Sequence, residues 1–189
     1  MRVLKSLFWV IILFNLVLGQ QQKIKILDVN VEGIALTDSM TILINSGLMP
    51  GKSVSGEDIQ KGVKNLWALK LYDDVKIYIE QQNLNGVVLK IKVKEYPKLV
   101  DYRIEGRDKV DKNDVKAAID MYKGGIYTPY RAYKTINNIK KTYREEGYLL
   151  AEVEVDTTHM TANKVSAIIK ITEGKKVQVK KIRFHDNEV

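Results

Sequence analysis

The chain has 189 residues, of which 45% are hydrophobic and 29% are charged, and this composition excludes a disordered tail. Because the chain contains no cysteine, a disulfide framework, a thiol nucleophile and a cysteine metal site are excluded. The formal net charge of +8 is compatible with an acidic partner, anionic lipid or nucleic acid. Many lysines alternate with apolar residues, as between Leu89 and Lys94, and we expect them to lie on the solvent faces of strands.

The first residues have the pattern of a secretory signal peptide. A short basic start precedes an apolar run from Leu7 to Leu18, which is shorter than the roughly 20 residues that a membrane-spanning helix needs. We predict a signal peptide over residues 1–19, with cleavage between Gly19 and Gln20. An uncleaved membrane anchor is the alternative, and either interpretation places the rest of the chain outside the cytoplasm.

After this segment the same order of elements occurs twice, with a spacing of about 75 residues. In the first copy an alternating strand closes at Gly33, and in the second copy a similar strand closes at Gly106. Two amphipathic helices follow each of these strands, and two further alternating strands follow the helices. Each copy therefore predicts an α+β unit of the order β-α-α-β-β.

Capping residues mark where the four predicted helices begin. The first helix begins in the segment 37–39, and Met40, Leu43 and Ile44 share its predicted apolar face. The predicted N-terminal caps of the other three helices are Ser55, Asp111 and Thr128.

The short connections predict the topology of each unit. The last two strands pair as an antiparallel hairpin, and the first strand can lie parallel to the third because two helices join it to the hairpin. The result is a three-stranded mixed sheet of order 1-3-2, covered on one face by two helices. The predicted domains are residues 23–96 and 97–174. Residues 175–189 predict the first strand of a truncated third domain, unless they extend the second unit or are disordered.

Three parts of this repeat resemble the linking segments of POTRA (polypeptide-transport-associated) modules. The segment 45–51 is similar to the family's link between its two helices, and 69–75 is similar to its passage from the second helix into the second strand. The segments 171–174 and 179–184 are together similar to its junction between modules. The resemblance covers residues 23–189 and implies tandem POTRA domains of the kind found in outer-membrane protein-assembly factors.

The resemblance also implies a function. Chains of this family are expected to bind unfolded outer-membrane protein precursors and the lipoproteins of an assembly complex on the periplasmic side of the outer membrane. It further implies attachment to that membrane through a C-terminal barrel that is missing from this chain, so the chain is expected to be a fragment. We expect no enzymatic activity, no cofactor, no metal site and no nucleic-acid partner.

Two alternatives keep the fold and change the function: POTRA modules of a two-partner secretion transporter and those of a cell-division protein. The alternative from another class is a basic nucleic-acid-binding αβ module. Six tyrosines of the second unit could stack on bases, but we expect them to pack between helices and sheet instead. They are Tyr122, Tyr127, Tyr130, Tyr133, Tyr143 and Tyr148.

The predicted strand order places the second strand of each unit at a sheet border. Unpaired backbone N–H and C=O groups at a border can pair with an extended client strand. We therefore predict client- or partner-binding edges, with charge-protected ordinary edges as the alternative. The residues are Val75, Lys76, Ile77, Tyr78, Ile79 and Glu80 in the first unit and Ala151, Glu152, Val153, Glu154 and Val155 in the second.

The junction between the units consists of Glu95, Tyr96, Pro97 and Lys98 and contains neither glycine nor serine. Proline fixes one backbone angle and restricts the residue before it. We therefore predict an inter-domain hinge of limited range.

Overall fold

The computed structural model describes residues 23–178 and 180–183, and the chain divides into two compact units between Glu95 and Tyr96. The predicted signal peptide and its cleavage site at Gly19 and Gln20 lie outside the described residues. In the predicted strand of a third domain, residues 175–178 and 180–183 form neither helix nor strand, and 179 and 184–189 are not described, so this strand stays a prediction. None of the described helices is long and apolar enough to cross a membrane.

The first unit contains a four-stranded mixed sheet of order β2-β1-β4-β3, in which β1 is parallel to β4, and β3 is antiparallel to β4. Its three long strands have the predicted order, and the two-residue strand β2 is an addition that pairs antiparallel with the start of β1. The elements are β1 (Ile24–Glu32), α1 (Ser39–Ser46), β2 (Ser53–Val54), α2 (Gly56–Ala68), β3 (Tyr72–Asn83) and β4 (Gly86–Glu95).

The second unit contains a three-stranded mixed sheet of order β5-β7-β6, as predicted, with β5 parallel and β6 antiparallel to β7. A single bridge between Lys98 and Ile126 stands where the first unit has β2. The elements are β5 (Lys98–Glu105), α3 (Lys112–Ala117), α4 (Pro129–Glu145), β6 (Glu152–Thr161) and β7 (Lys164–Thr172).

The predicted caps begin all four helices. The Asp38 carboxylate accepts the N–H of Thr41 at 2.8 Å, and Ser55 forms a reciprocal capping box with Asp58. Asp111 caps α3, and Thr128 caps α4 ahead of a proline at its first helical position. Local side-chain hydrogen bonds therefore fix where each helix begins.

Each unit has its own apolar core between its helices and one face of its sheet. In the first unit Ile42 of α1 and Leu66 of α2 are fully buried with the inward residues of β1 and β4. The predicted apolar face of α1 is wrong for Met40 and Ile44, which are 54% and 62% exposed, whereas Leu43 packs against the core. The helix is apolar on several sides, so its sequence does not specify which side meets the core.

The second helix of each unit ends in a left-handed residue. Gly147 has a φ of 87° after α4, and Lys70 has a φ of 56° at the equivalent point after α2. Lysine is uncommon in this conformation because its Cβ crowds the backbone. The first unit thus keeps the same turn without the glycine.

Candidate functional site

Strand β3 lies at a border of the first sheet. Its inner side pairs with β4, with Val75 opposite Val93 and Ile79 opposite Leu89. In the described part of the chain no strand pairs with its outer side. All six predicted edge residues, 75–80, lie in β3, so their outward backbone groups have the position that strand addition requires.

The side chains of β3 become exposed along the strand. Val75 is buried and Ile77 is half-buried, but Ile79, on the same face, is 53% exposed. Tyr78, on the opposite face, is 48% exposed. The far half of this border therefore presents apolar side chains on both faces of the strand.

Charged residues of β3 are paired within the sheet. Lys76 contacts Asp74 at 2.6 Å, and Glu80 contacts Lys90 at 2.6 Å and accepts the side-chain N–H of Asn30 at 2.6 Å. The hydrogen bond from Lys90, followed by that from Asn30, lowers the pKa of Glu80. These pairs are exposed and contribute little to stability. They neutralise the charged side chains of β3 and leave the outer side of the strand uncovered.

Strand β6 lies at the border of the second sheet and pairs on its inner side with β7. Glu152, Val153, Glu154 and Val155 lie in β6 as predicted, with Val153 buried and Val155 half-buried. Ala151 does not: it precedes the strand, and its N–H donates to the carbonyl of Tyr148 at 3.3 Å. The prediction was wrong there because alternation alone does not distinguish a strand residue from the turn before it.

The exposed face of β6 is acidic. Glu152, Glu154 and Asp156 alternate along it, and only Asp156 of these has an ion pair in the described residues, with Lys170 at 2.6 Å. The two borders thus share their backbone geometry and differ in charge.

Comparisons with known proteins identify this architecture. The POTRA family profile, described as "Surface antigen variable number repeat", matches residues 97–174. The outer membrane protein assembly factor BamA of Nitratidesulfovibrio vulgaris is 29% identical over 161 residues, 84% of this chain and 20% of that protein. The second unit is thus a POTRA module, and most of the chain is similar to BamA.

Two further proteins are similar to this chain. BamA of Neisseria meningitidis serogroup B is 25% identical over 166 residues, 86% of this chain and 20% of that protein. The structure of the N-terminal domain of Omp85 from Thermosynechococcus elongatus has a TM-score of 0.54 at 20% identity, over 79% of this chain and 63% of that one. This likeness shows the fold. The chain spans about a fifth of the length of the curated relatives that it matches.

Hydrogen bonds hold the residues of the junction on both of its sides. Glu95 is the last residue of β4, and its carboxylate accepts backbone N–H groups from the first unit. The carbonyl of Pro97 accepts the N–H of Tyr127 at 2.8 Å, and the N–H of Lys98 donates to the carbonyl of Asn163 at 2.9 Å. Three of the four predicted hinge residues are thus held within one unit or the other.

Glu95 has a structural role that sequence reasoning missed. Its carboxylate accepts the N–H groups of Ala35 at 2.9 Å, Leu36 at 2.6 Å and Thr37 at 2.9 Å, and also the Thr37 hydroxyl. Partial burial raises the pKa of Glu95, but the Thr37 hydroxyl and the three N–H groups outweigh it and lower the pKa overall. Glu95 therefore fastens the loop after β1 to the end of β4.

Glu173 repeats this arrangement in the second POTRA module. It accepts the N–H groups of Asp108 at 2.9 Å and Lys109 at 2.8 Å, and the hydroxyl of Tyr143 at 2.8 Å. Burial again raises the pKa of Glu173, and the hydrogen bonds again outweigh it. We call Glu95 and Glu173 the loop-fastening glutamates.

The tyrosine prediction was half wrong. Tyr143 is fully buried, and Tyr127 and Tyr148 are half-buried against the core of the second module, as expected. The other three are exposed: Tyr122, Tyr130 and Tyr133. Within the described residues, no group of three or more histidine, aspartate or glutamate side chains is arranged to hold a metal ion.

Proposed function

We propose that this chain is the periplasmic POTRA region of an outer-membrane barrel-assembly factor and that it holds unfolded outer-membrane protein precursors and partner lipoproteins. Clients bind by adding a strand to the outer sides of β3 and β6. The border position of both strands is the observation that carries the proposal. It is supported by similarity to two proteins named outer membrane protein assembly factors.

Strand addition suits a protein that hands over many different clients. Backbone hydrogen bonds do not depend on the client's side chains, and each contributes only about 0.5–1.5 kcal/mol net. A few such bonds give weak and reversible binding, and exposed apolar side chains such as Tyr78 and Ile79 add to it without selecting one sequence.

Site-specific photo-crosslinking tests the proposal. A crosslinking residue at Lys76 in β3, or at Glu152 in β6, is expected to form adducts with an extended peptide from an outer-membrane barrel strand. The matched controls are Lys92 and Thr172, which lie directly opposite these residues on the neighbouring inner strands β4 and β7. Lys92 is paired on both sides, with Lys76 and with Glu32, whereas Thr172 is paired only with Glu152. Lys170, which is paired with both Glu154 and Glu105, is therefore the stricter control in β7. Lys92 and Lys170 are expected to give several-fold less adduct than the border positions.

Equal adduct yields at the border and control positions would contradict strand addition at these edges. Adducts at Lys76 alone would restrict the client site to the first unit. That result would leave the acidic edge of β6 for a partner of another kind.

We also propose that the junction 95–98 is a hinge of limited range. With Glu95 held in one unit and Pro97 and Lys98 in the other, the connection has little freedom. Small-angle scattering is expected to fit a narrow ensemble for the natural chain and a broader one for Pro97→Gly. Scattering typical of independently tumbling units in the natural chain would contradict the proposal.

A further inference from the structure

A cavity of about 330 Å³ lies between β5 and α3 in the second module. It is remote in the sheet from the proposed client edge, because β5 and β6 are opposite borders of the order β5-β7-β6. Three of its six lining residues are cations and none is acidic. The lining residues are Tyr102, Ile104, Gly106, Arg107, Lys112 and Lys116.

In the part of the chain that the structure describes, the three cations of this cavity form no ion pair with a carboxylate. Among the described residues, no ion pair within 4.0 Å involves Arg107, Lys112 or Lys116, and Arg107 donates to the carbonyl of Val110 at 3.0 Å. The carboxylates of β5 are already paired, Asp101 with Lys123 and Glu105 with Arg103, each at 2.7 Å.

Lys112 and Lys116 differ in their effect on the stability of their own helix. They are four residues apart on α3, a spacing at which like charges repel. Lys116 lies in the last turn, where the helix dipole favours a cation, but Lys112 is the first residue of the helix, where a cation is unfavourable. Helix stability therefore does not account for Lys112.

The first unit shows that the fold does not need these cations. A shift of 73 residues in the numbering aligns the left-handed Gly33 with Gly106 and the cap Asp38 with Asp111. The same shift aligns the fully buried Ile42 with Val115. Backbone conformation, helix cap and core position thus support the same alignment of the two units.

In that alignment, uncharged residues of the first unit stand at the positions of the three cations. Ile34, Ser39 and Leu43 take the places of Arg107, Lys112 and Lys116, and Ile34 and Leu43 pack against the core of the first unit. The second module thus has three cations where the first unit has Ser39 and two apolar side chains that pack against its core.

We propose that this cavity binds carboxylates of an extended, acidic polypeptide segment that lies along the outer side of β5. Leu99 is hydrogen-bonded to Gly124 and Gly125. Beyond Leu99, the outer side of β5 has no paired strand in the described chain, so its backbone can accept such a segment. Half-buried Tyr102 and Ile104 supply apolar walls between the cations. This inference goes beyond the proposed function, since it assigns a second edge and a chemical preference.

The test uses the full chain and a short, end-capped, fluorescein-labelled peptide of alternating glutamate and valine. Exposed ion pairs are individually weak, so the double variant Lys112→Gln/Lys116→Gln is expected to weaken peptide binding about fivefold in fluorescence anisotropy. The control Lys61→Gln/Lys64→Gln removes the same charge from the exposed side of α2 and is expected to change binding by less than about twofold.

Three further binding measurements identify the chemical class of the ligand. A peptide with glutamine in place of glutamate is expected to bind at least about fivefold more weakly. Inorganic phosphate at equal ionic strength is expected not to compete beyond the effect of chloride. Vesicles of phosphatidylglycerol and phosphatidylcholine are expected to bind the double variant and the control equally.

Equal weakening by the two double variants would overturn the proposal, because it would show a diffuse effect of net charge. Competition by phosphate, or vesicle binding that depends on Lys112 and Lys116, would overturn the assignment to a polypeptide. Circular dichroism checks that both variants are folded. Photo-crosslinking at Lys76 and Glu152 should be unchanged in them, so failure here is distinguishable from failure of the client edges.

Discussion

Replacing Gly33 with alanine is expected to destabilise the first unit by at least about 3 kcal/mol, a large part of the stability of a domain of this size. A Cβ at this position would stand 1.9 Å from the carbonyl oxygen of Val93 in β4. No side-chain rotation relieves this contact, since both atoms belong to the backbone framework. β1 and β4 would have to separate at the end of their parallel ladder.

Gly51→Ala is the matched control. Gly51 has a φ of 85° against 86° for Gly33, but no atom lies within 4 Å of the position its Cβ would take. Alanine there is expected to cost only the strain of the left-handed backbone, about 1–2 kcal/mol. The difference between the two variants thus isolates the collision with Val93.

Urea unfolding followed by tryptophan fluorescence measures both variants, because Trp67 lies in α2 of this unit. Equal losses of stability in Gly33→Ala and Gly51→Ala would show that β4 does not approach β1 this closely. Gly106→Ala provides an independent repeat in the second module, where the new Cβ would stand 2.1 Å from the carbonyl oxygen of Ile171. Because this module has no tryptophan, its unfolding is followed by far-UV circular dichroism.

The features that the sequence predicted are those with a local or periodic cause. Alternation located the long strands, and their order followed from the short hairpins and the helical crossovers. Asp38, Ser55, Asp111 and Thr128 marked where helices begin, because a cap and the N–H groups that it satisfies are within one turn. The border positions of β3 and β6 follow from the same topology.

The features that the sequence did not predict depend on tertiary contacts. A two-residue strand such as β2 is too short to show alternation. The short helix α1 is apolar on several sides, and only packing decides that Ile42 rather than Met40 is buried. The cation-lined cavity forms because the fold brings Arg107, Lys112 and Lys116 together, and no periodic pattern in the sequence marks these three residues.

Glu95→Gln is expected to destabilise the first unit by about 2–3 kcal/mol, since hydrogen bonds to a charged group are worth more than those to a neutral one. The carboxylate meets only donors: three N–H groups and the Thr37 hydroxyl. Glutamine has one acceptor oxygen, and its NH₂ group would face these donors. This role could not be predicted from the sequence, because the partners lie 58–60 residues away along the chain.

Glu32→Gln is the control for this variant. Glu32 is also the last residue of a strand, but it makes one exposed ion pair, with Lys90 at 3.0 Å. Its loss is expected to cost less than about 1 kcal/mol. Similar losses in the two variants, measured by urea unfolding at pH 7, would show that Glu95 does not hold the loop after β1.

The pH dependence of stability distinguishes the contribution of the Glu95 charge from that of its side-chain packing. Its pKa is lowered in the folded chain, so its contribution is complete above the unfolded value of about 4.3 and is lost as the pH falls through the folded pKa. The natural first unit should therefore lose stability between neutral pH and the acid range more steeply than Glu95→Gln. Glu173, whose pKa is also lowered, should impose the same acid dependence on the second module. Parallel pH profiles for the natural chain and Glu95→Gln would show that the fastened loop is held by packing and not by the carboxylate.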